Sequence, residues 1–116
     1  MNKRREGNRG EDLAVDFLRK KGYRILHRNF RFKRGEMDII AEDDTMLVFV
    51  EVKARRSLLF GDPIDAVTAS KCRQLRRVAE GYLFVHKIDD RSCRFDVIAI
   101  DYEGGTPHIR HLEDAF

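Results

Sequence analysis

At 116 residues, with 42% hydrophobic and 37% charged side chains and only two prolines, the chain has the length of one domain core and excludes a two-domain enzyme, a collagenous chain or an apolar membrane protein. One domain over residues 1–116 is expected. The formal charge of +3 is unevenly placed, because residues 1–77 carry +7 and residues 78–116 carry −4.

The N-terminal Met1-Asn2-Lys3-Arg4-Arg5-Glu6-Gly7 has no apolar signal core behind its charges, and no run approaches the roughly 18 apolar residues of a membrane span, so the expected location is the cytoplasm, away from membranes. From about Asn8 to Lys21, Leu13, Ala14, Phe17 and Leu18 fall at helical spacing opposite Asp12, Asp16, Arg19 and Lys20. Asn8 suits the N-cap, Glu11 sits three residues later as in a capping box, and Gly22 suits the left-handed residue that stops a helix. Tyr23 to Phe32 then reads as a strand with one wet face, and Lys33-Arg34-Gly35 as a turn. Glu36–Glu42 and Met46–Lys53 flank Asp43-Asp44-Thr45 as a β-hairpin, whose second arm, Met46 to Val50, is apolar on both faces and therefore belongs inside a sheet.

After a loop from Arg55 to Asp62 that carries Leu58, Leu59 and Phe60, a helix begins with two candidate caps, Asp62 before Pro63 and Thr68, between which the pattern does not choose. Ile64, Val67, Lys71, Leu75, Val78 and Tyr82 form one stripe in which Lys71 is the odd residue. Cys93 to Tyr102 reads as a strand, Glu103-Gly104-Gly105 as a turn and His108 to Leu112 as a short last strand. The order α-β-β-β-α-β-β makes an α/β sandwich the expected architecture. Cys72 and Cys93 lack any Cys-x-x-Cys spacing, so neither a disulfide framework nor a thiolate zinc site is written, and the four histidines show no metal-ligand spacing and read as surface or packing residues.

Packing does not require the charges on the hairpin. Glu51 and Lys53, two apart, share a face at the end of an interior strand; if the turn is centred on Asp44 and Thr45, Asp38 stands opposite Glu51 and points the same way. Facing carboxylates repel, and a divalent cation commonly stabilises such a pair. Magnesium suits an all-oxygen set that keeps several waters, with manganese as a substitute, and Lys53 beside it can orient a metal-bound water or offset charge on a phosphate. The basic clusters Lys3-Arg4-Arg5, Lys20-Lys21, Arg31 to Arg34, Arg55-Arg56 and Arg73 to Arg77 can neutralise phosphates, although a merely solvated basic surface has the same composition.

Gly35-Glu36-Met37-Asp38-Ile39-Ile40 followed by Phe49-Val50-Glu51-Val52-Lys53 resembles the PD-(D/E)xK nuclease superfamily, and closely its small bacterial YraN-like branch, itself similar to archaeal Holliday junction resolvases. Gly10-Glu11, Arg31, Arg55, Phe60-Gly61 with Pro63, Lys71, Arg94-Phe95-Asp96-Val97 and Ala115-Phe116 extend the resemblance over nearly the whole chain; Met37 replaces the superfamily's proline, and Ala69 stands where the branch often has one. The resemblance implies a restriction-endonuclease-like sandwich, a mixed central sheet flanked by helices. It also implies magnesium-dependent hydrolysis of DNA, on branched or processed structures, by a homodimer. Asp38 and Glu51 would bind the metal, Lys53 would assist the attacking water, and Arg31, Arg55 and Lys71 would hold the nucleic-acid backbone. Glu11 is either the helix cap or a further carboxylate of the site, and Glu36 either adds a carboxylate or pairs with Arg31 or Arg34. Two rivals share this sequence: a non-catalytic nucleic-acid-binding protein of the same fold, and an interaction module using Leu58 to Phe60.

Overall fold

A strand with no wet face must lie between two layers, and in the computed structural model, which describes residues 3–55 and 61–116, Met46–Arg55 does so. It is β3, third of five strands in a sheet ordered β1-β2-β3-β4-β5, with β1 at Arg24–Phe32, β2 at Gly35–Asp43, β4 at Cys93–Asp101 and β5 at His108–Leu112. Neighbours are antiparallel except β3 and β4. A parallel pair needs a crossover, and α2 (Ala69–Val85) lies on that connection. Helix α1 (Lys3–Lys20) precedes the sheet, giving the expected mixed α/β order.

The two helices take opposite faces. Ala14, Val15 and Leu18 of α1 pack with Ile39, Ala41, Val48, Val50, Ile98 and Ile100, whereas Leu75, Val78, Ala79 and Tyr82 of α2 pack with Met37, Ile40, Leu47 and Phe49. Leu47, Val48, Phe49 and Val50 are fully buried, each contributing about 1.5–3 kcal/mol, which offsets the cost of the charges the same strands enclose.

Several boundaries differ from the sequence reading. Helix α1 begins at Lys3, so Asn8 is interior and not the N-cap; the polar run ahead of it is rich in Lys, Arg and Glu, straight-chain residues that extend a helix without an apolar partner. Gly22 stops the helix with φ +95°, as expected. Of the two candidate caps, Thr68 is the one that caps α2. Pro63–Ala66 forms a separate 3-10 turn in which Asp65 N–H donates to the Asp62 carbonyl (3.0 Å), and Thr68 caps α2 by accepting from Lys71 N–H (3.2 Å). The stripe from Ile64 to Tyr82 therefore spans two elements. Cys72 and Cys93 are free thiols. Leu58, Leu59 and Phe60 lie outside the described residues. Among the described residues no helix is long and apolar enough to cross a membrane.

Strand β1 does not keep one wet face along its length. Arg28 reaches α1, yet Phe30 packs on the α2 side; its partner strand does the same, with Ile39 on the α1 side and Met37 on the α2 side. Residues two apart in a regular strand share a face. The switch falls between them, at Asn29 and Asp38, and Asn29 has the left-handed φ of +55° that asparagine tolerates better than most residues. Asp38 thus occupies the point where the strand changes the face its side chains take.

Candidate active site

The hairpin register carries Asp38 to Glu51. Turn residues Asp44 and Thr45 set Ile39 opposite Val50, where the paired register ends; one step further out Asp38 Oδ2 accepts from the Val52 N–H (2.8 Å), and its carboxyl shares a hydrogen bond with that of Glu51. A carboxylate takes the place of a main-chain acceptor at this point, which fixes it at the mouth of the sheet. Glu51 is only 3% exposed, and it points toward α2. Lys71 Nζ, from the first turn of α2, stands 3.5 Å from Glu51 Oε2; that oxygen is buried and receives no hydrogen bond from any described residue.

Two carboxyl groups in this position affect each other's charge. Burial pushes Asp38 up to about 8, the hydrogen bond and negative charge shared with Glu51 add to the rise, and the Val52 N–H and the Lys53 ammonium act against it. Two buried carboxyl groups side by side, with one oxygen that receives no hydrogen bond from any described residue, are a donor set for a hard cation: oxygen ligands, surplus negative charge, and no imidazole or thiolate. Among the described residues no group of three or more His, Cys, Asp or Glu side chains is gathered as metal ligands are, so the centre has two carboxylates and leaves most of a coordination shell to water and substrate.

A cleft of about 650 Å³ opens on Asp38 and Lys53, with Glu11, Asn29, Arg31, Glu36 and Arg55 also in its lining; Glu51 and Lys71 are not in the lining. Arg31 is largely exposed and pairs with Glu36 (Nε to Oε2, 3.2 Å), which settles which arginine Glu36 meets while keeping both in the cleft wall. Arg55 brings a buried Nε with no hydrogen-bond partner among the described residues, and its carbonyl is tied to the Tyr102 N–H (2.9 Å).

Glu11 requires a correction. It lies inside α1, buried, and does not act as the helix cap: Oε1 accepts from Arg28 Nε (2.8 Å) and Asn29 Nδ2 (3.0 Å), while Arg28 Nη2 donates to Asp12 (2.6 Å). Burial raises its pKa, Arg28 opposes the rise, and the charge of Asp38 adds to it, so Glu11 and Asp38 feel one another across the cleft. Asn29 and Arg28 are cleft or supporting residues that sequence reasoning passed over. In a strand with five polar residues out of nine nothing in the sequence set them apart.

A second buried acid lies on the other face of the sheet. Asp96, fully buried on β4, accepts from Arg94 Nε and Nη2 (both 2.9 Å) and from the Asp114 N–H (3.0 Å), and its Oδ2 lies 2.7 Å from His111 Nε2. Lys21 Nζ is 2.8 Å from His111 Nδ1; an ammonium only donates, so Nδ1 accepts and Nε2 carries the hydrogen given to Asp96. Arg94 also donates to the Tyr23 hydroxyl (2.6 Å). Burial alone would raise Asp96, but the donors from His111, Arg94 and Asp114 outweigh it and hold the carboxyl below its ordinary value.

Fold and site together define a mixed α/β protein in which an aspartate and a lysine at the ends of the central strands line a cleft with arginines in its wall, and a buried glutamate lies behind the aspartate. The profile described as "Uncharacterised protein family UPF0102" matches residues 10–100. The chain is 56% identical to the UPF0102 protein of Caldicellulosiruptor saccharolyticus over 86% of this chain and 85% of that one. It is 46% identical to the UPF0102 protein of Caldicellulosiruptor bescii over the whole of both chains, and 45% identical to that of Prosthecochloris aestuarii over 95% and 91%. The chain belongs to the UPF0102, or YraN-like, family.

Proposed function

We propose that this protein is a magnesium-dependent nuclease of the PD-(D/E)xK superfamily that hydrolyses DNA phosphodiester bonds in the cytoplasm, with branched or processed DNA as substrate and manganese able to replace magnesium. The observation that carries the reading is the Asp38–Glu51 pair, packed against an apolar sheet with a buried oxygen that no donor satisfies, beside Lys53. A structural ion-pair ladder would need as many cations as carboxylates in contact, and among the described residues the one ammonium within ion-pair distance of Glu51 is that of Lys71, at 3.5 Å.

Asp38 and Glu51 would hold the metal, which when bound supplies polarisation of the phosphate and acidification of a water. Lys53, on the face of Glu51, orients that water or offsets charge gathering on phosphorus. Arg31 and Arg55 bind the flanking phosphates. The Arg55 Nε is already desolvated, so a phosphate oxygen offers it the acceptor it lacks, in the bidentate manner arginine favours. Glu11 holds Arg28 and Asn29 and thereby shapes the cleft wall, and Lys71 tempers the charge of Glu51. A homodimer would offer two such clefts for symmetric cutting.

The test is incubation of the purified full chain with single-stranded, duplex, flap and four-way-junction DNA in magnesium or manganese, beside Asp38→Ala and Glu51→Ala, each checked for folding by circular dichroism. Wild type is expected to cut at least one substrate and both variants to fall to background. Identical behaviour of all three proteins removes the nuclease reading. Salt-sensitive binding without cleavage, untouched by Glu51→Ala, would instead identify a non-catalytic nucleic-acid-binding protein.

A further inference from the structure

Along one side of helix α2, Gln74, Arg77, Gly81 and Phe84 follow at spacings of three and four, with Arg77 and Phe84 exposed and Gly81 buried. Phe84 is 81% exposed. A Cβ at Gly81 would come within 2.3 Å of the Phe32 ring, so a residue without a side chain is what lets that ring seat against the helix, one turn from Phe84. Glycine inside a helix costs about 0.5–1 kcal/mol relative to alanine, and the close approach of Phe32 is the gain that accompanies it.

Two adjoining depressions, of about 230 and 340 Å³, share Phe32, Lys33 and Arg77; the first also has Arg34 and Gln74, the second Glu80 and Phe84. Lys33 Nζ lies 5.7 Å from the centre of the Phe32 ring. The groove thus has two aromatic rings, the cations Lys33, Arg34 and Arg77, and the single acid Glu80. Arg31, one residue before Phe32, lines the carboxylate cleft, and because successive strand residues point to opposite faces, groove and cleft lie on the two sides of the end of β1, with no lining residue in common.

Singly exposed apolar residues are ordinary. An aromatic ring projecting from a shallow channel beside several cations is the composition that holds single strands, because every base offers a π face and the backbone offers phosphates. Charge complementarity selects this occupant over a second copy of the chain, which would bring the same cations against these. We infer that the groove binds a single-stranded nucleic-acid arm leaving the carboxylate cleft, with bases stacked on Phe84 and on the accessible part of Phe32 and phosphates on Lys33, Arg34 and Arg77. That the arm comes from the cleft rests on the nuclease reading; the binding of the strand does not.

Fluorescence anisotropy tests this on the full chain, with labelled oligothymidylate and a duplex of equal length, in chelator so that nothing is cut. Phe84→Ala is expected to weaken single-strand binding about tenfold while leaving duplex binding within about threefold, and Phe84→Trp to restore it. Lys33→Ala with Arg77→Ala should lower the slope of log affinity against log salt by about 1.4 for the single strand, two phosphate contacts at about 0.7 each. The exposure of Phe84 makes unfolding an improbable cost of its truncation, and a thermal melt of each variant checks it. The inference is overturned if wild type does not bind the single strand, if Phe84→Ala binds it as wild type does, or if both nucleic acids lose equally. It is overturned too if Phe84→Ala changes only the sedimentation coefficient, which would assign the ring to self-association. Strand binding that depends on Phe84 in a protein that cuts no DNA would sink the nuclease reading and keep the groove; cutting without that dependence would do the reverse.

Discussion

Glu51 and Asp96 are acids buried on adjacent strands of one sheet, a single register step apart, yet their surroundings are opposite. Asp96, on the α1 side, is met by an arginine fork, an imidazole and a main-chain N–H, and is held in its charged form. Glu51, on the α2 side, faces another carboxyl, has one buried oxygen without a hydrogen-bond donor, and meets a cation only at 3.5 Å. A buried charge with every lone pair occupied serves the fold. A buried charge left short of donors costs stability, and such deficits concentrate where ligands bind. The difference separates an acid whose partners account for its burial from one whose partners among the described residues do not.

The largest expected effect that could break this comparison is on the fold. Asp96→Ala removes the acceptor of Arg94, His111 and the Asp114 N–H together and should lower unfolding free energy by about 3 kcal/mol or more in a denaturant titration. Glu51→Gln in metal-free protein should instead leave stability unchanged or raise it by about 1 kcal/mol, since a repelling charge goes. Equal destabilisation by both would show the two acids to be alike. Next in size, magnesium at a hundred times its dissociation constant should stabilise wild type by about 2.7 kcal/mol, seen as a rise in Tm by calorimetry, and should do nothing for Asp38→Asn.

The pH dependence of the metal-free protein should carry both signatures with opposite sign. Asp38 titrates at about 8 in the folded state and near its ordinary 3.8 when unfolded. The folded chain therefore binds more protons between those values, so this contribution to stability is whole below about pH 4 and is lost as pH rises through about 8. Asp96 is depressed on folding, so its contribution is present above its ordinary value and is lost as pH falls through its lower folded value. Tm measured against pH in chelator should show a decline on each side. Asp38→Asn should flatten only the decline toward alkaline pH, and Asp96→Asn only the acid one.

The acids of the candidate site were more legible in the sequence than Asp96. A turn at Asp44-Thr45 and the two-residue period of strands are enough to set Asp38 against Glu51, and both rest on local chemistry. Asp96 stood out only within the motif Arg94-Phe95-Asp96-Val97, because its partners His111 and Asp114 arrive from the far end of the chain by tertiary packing. Glu11 misled for a related reason. Its spacing from Asn8 satisfies a capping box, but helix propensity extends α1 back to Lys3 and frees Glu11 for Arg28, 17 residues on. Gly81 was readable as an anomaly, a glycine within a helix, although its purpose depends on the neighbour it meets.

Lys71 gives the smallest effect and the finest distinction between the two acids. It breaks the apolar stripe of α2, and its backbone is fixed by the Thr68 cap in the first helical turn, so its side chain reaches Glu51 from a set position. At 3.5 Å, and about one-third exposed, it makes a loose ion pair, unlike the forked contact of Arg94 with Asp96. Lys71→Met should therefore cost the metal-free fold less than about 1 kcal/mol. Its other consequence has the opposite sign: an ammonium beside Glu51 repels a divalent cation as well as attracting the carboxylate, so the variant should bind magnesium a few-fold more tightly, as read by the concentration dependence of Tm. Unchanged magnesium affinity with weakened DNA binding would mean that Lys71 meets phosphate and leaves the charge of Glu51 to the metal alone. Either result ranks the cations around Glu51, a ranking that the closed donor set of Asp96 does not permit.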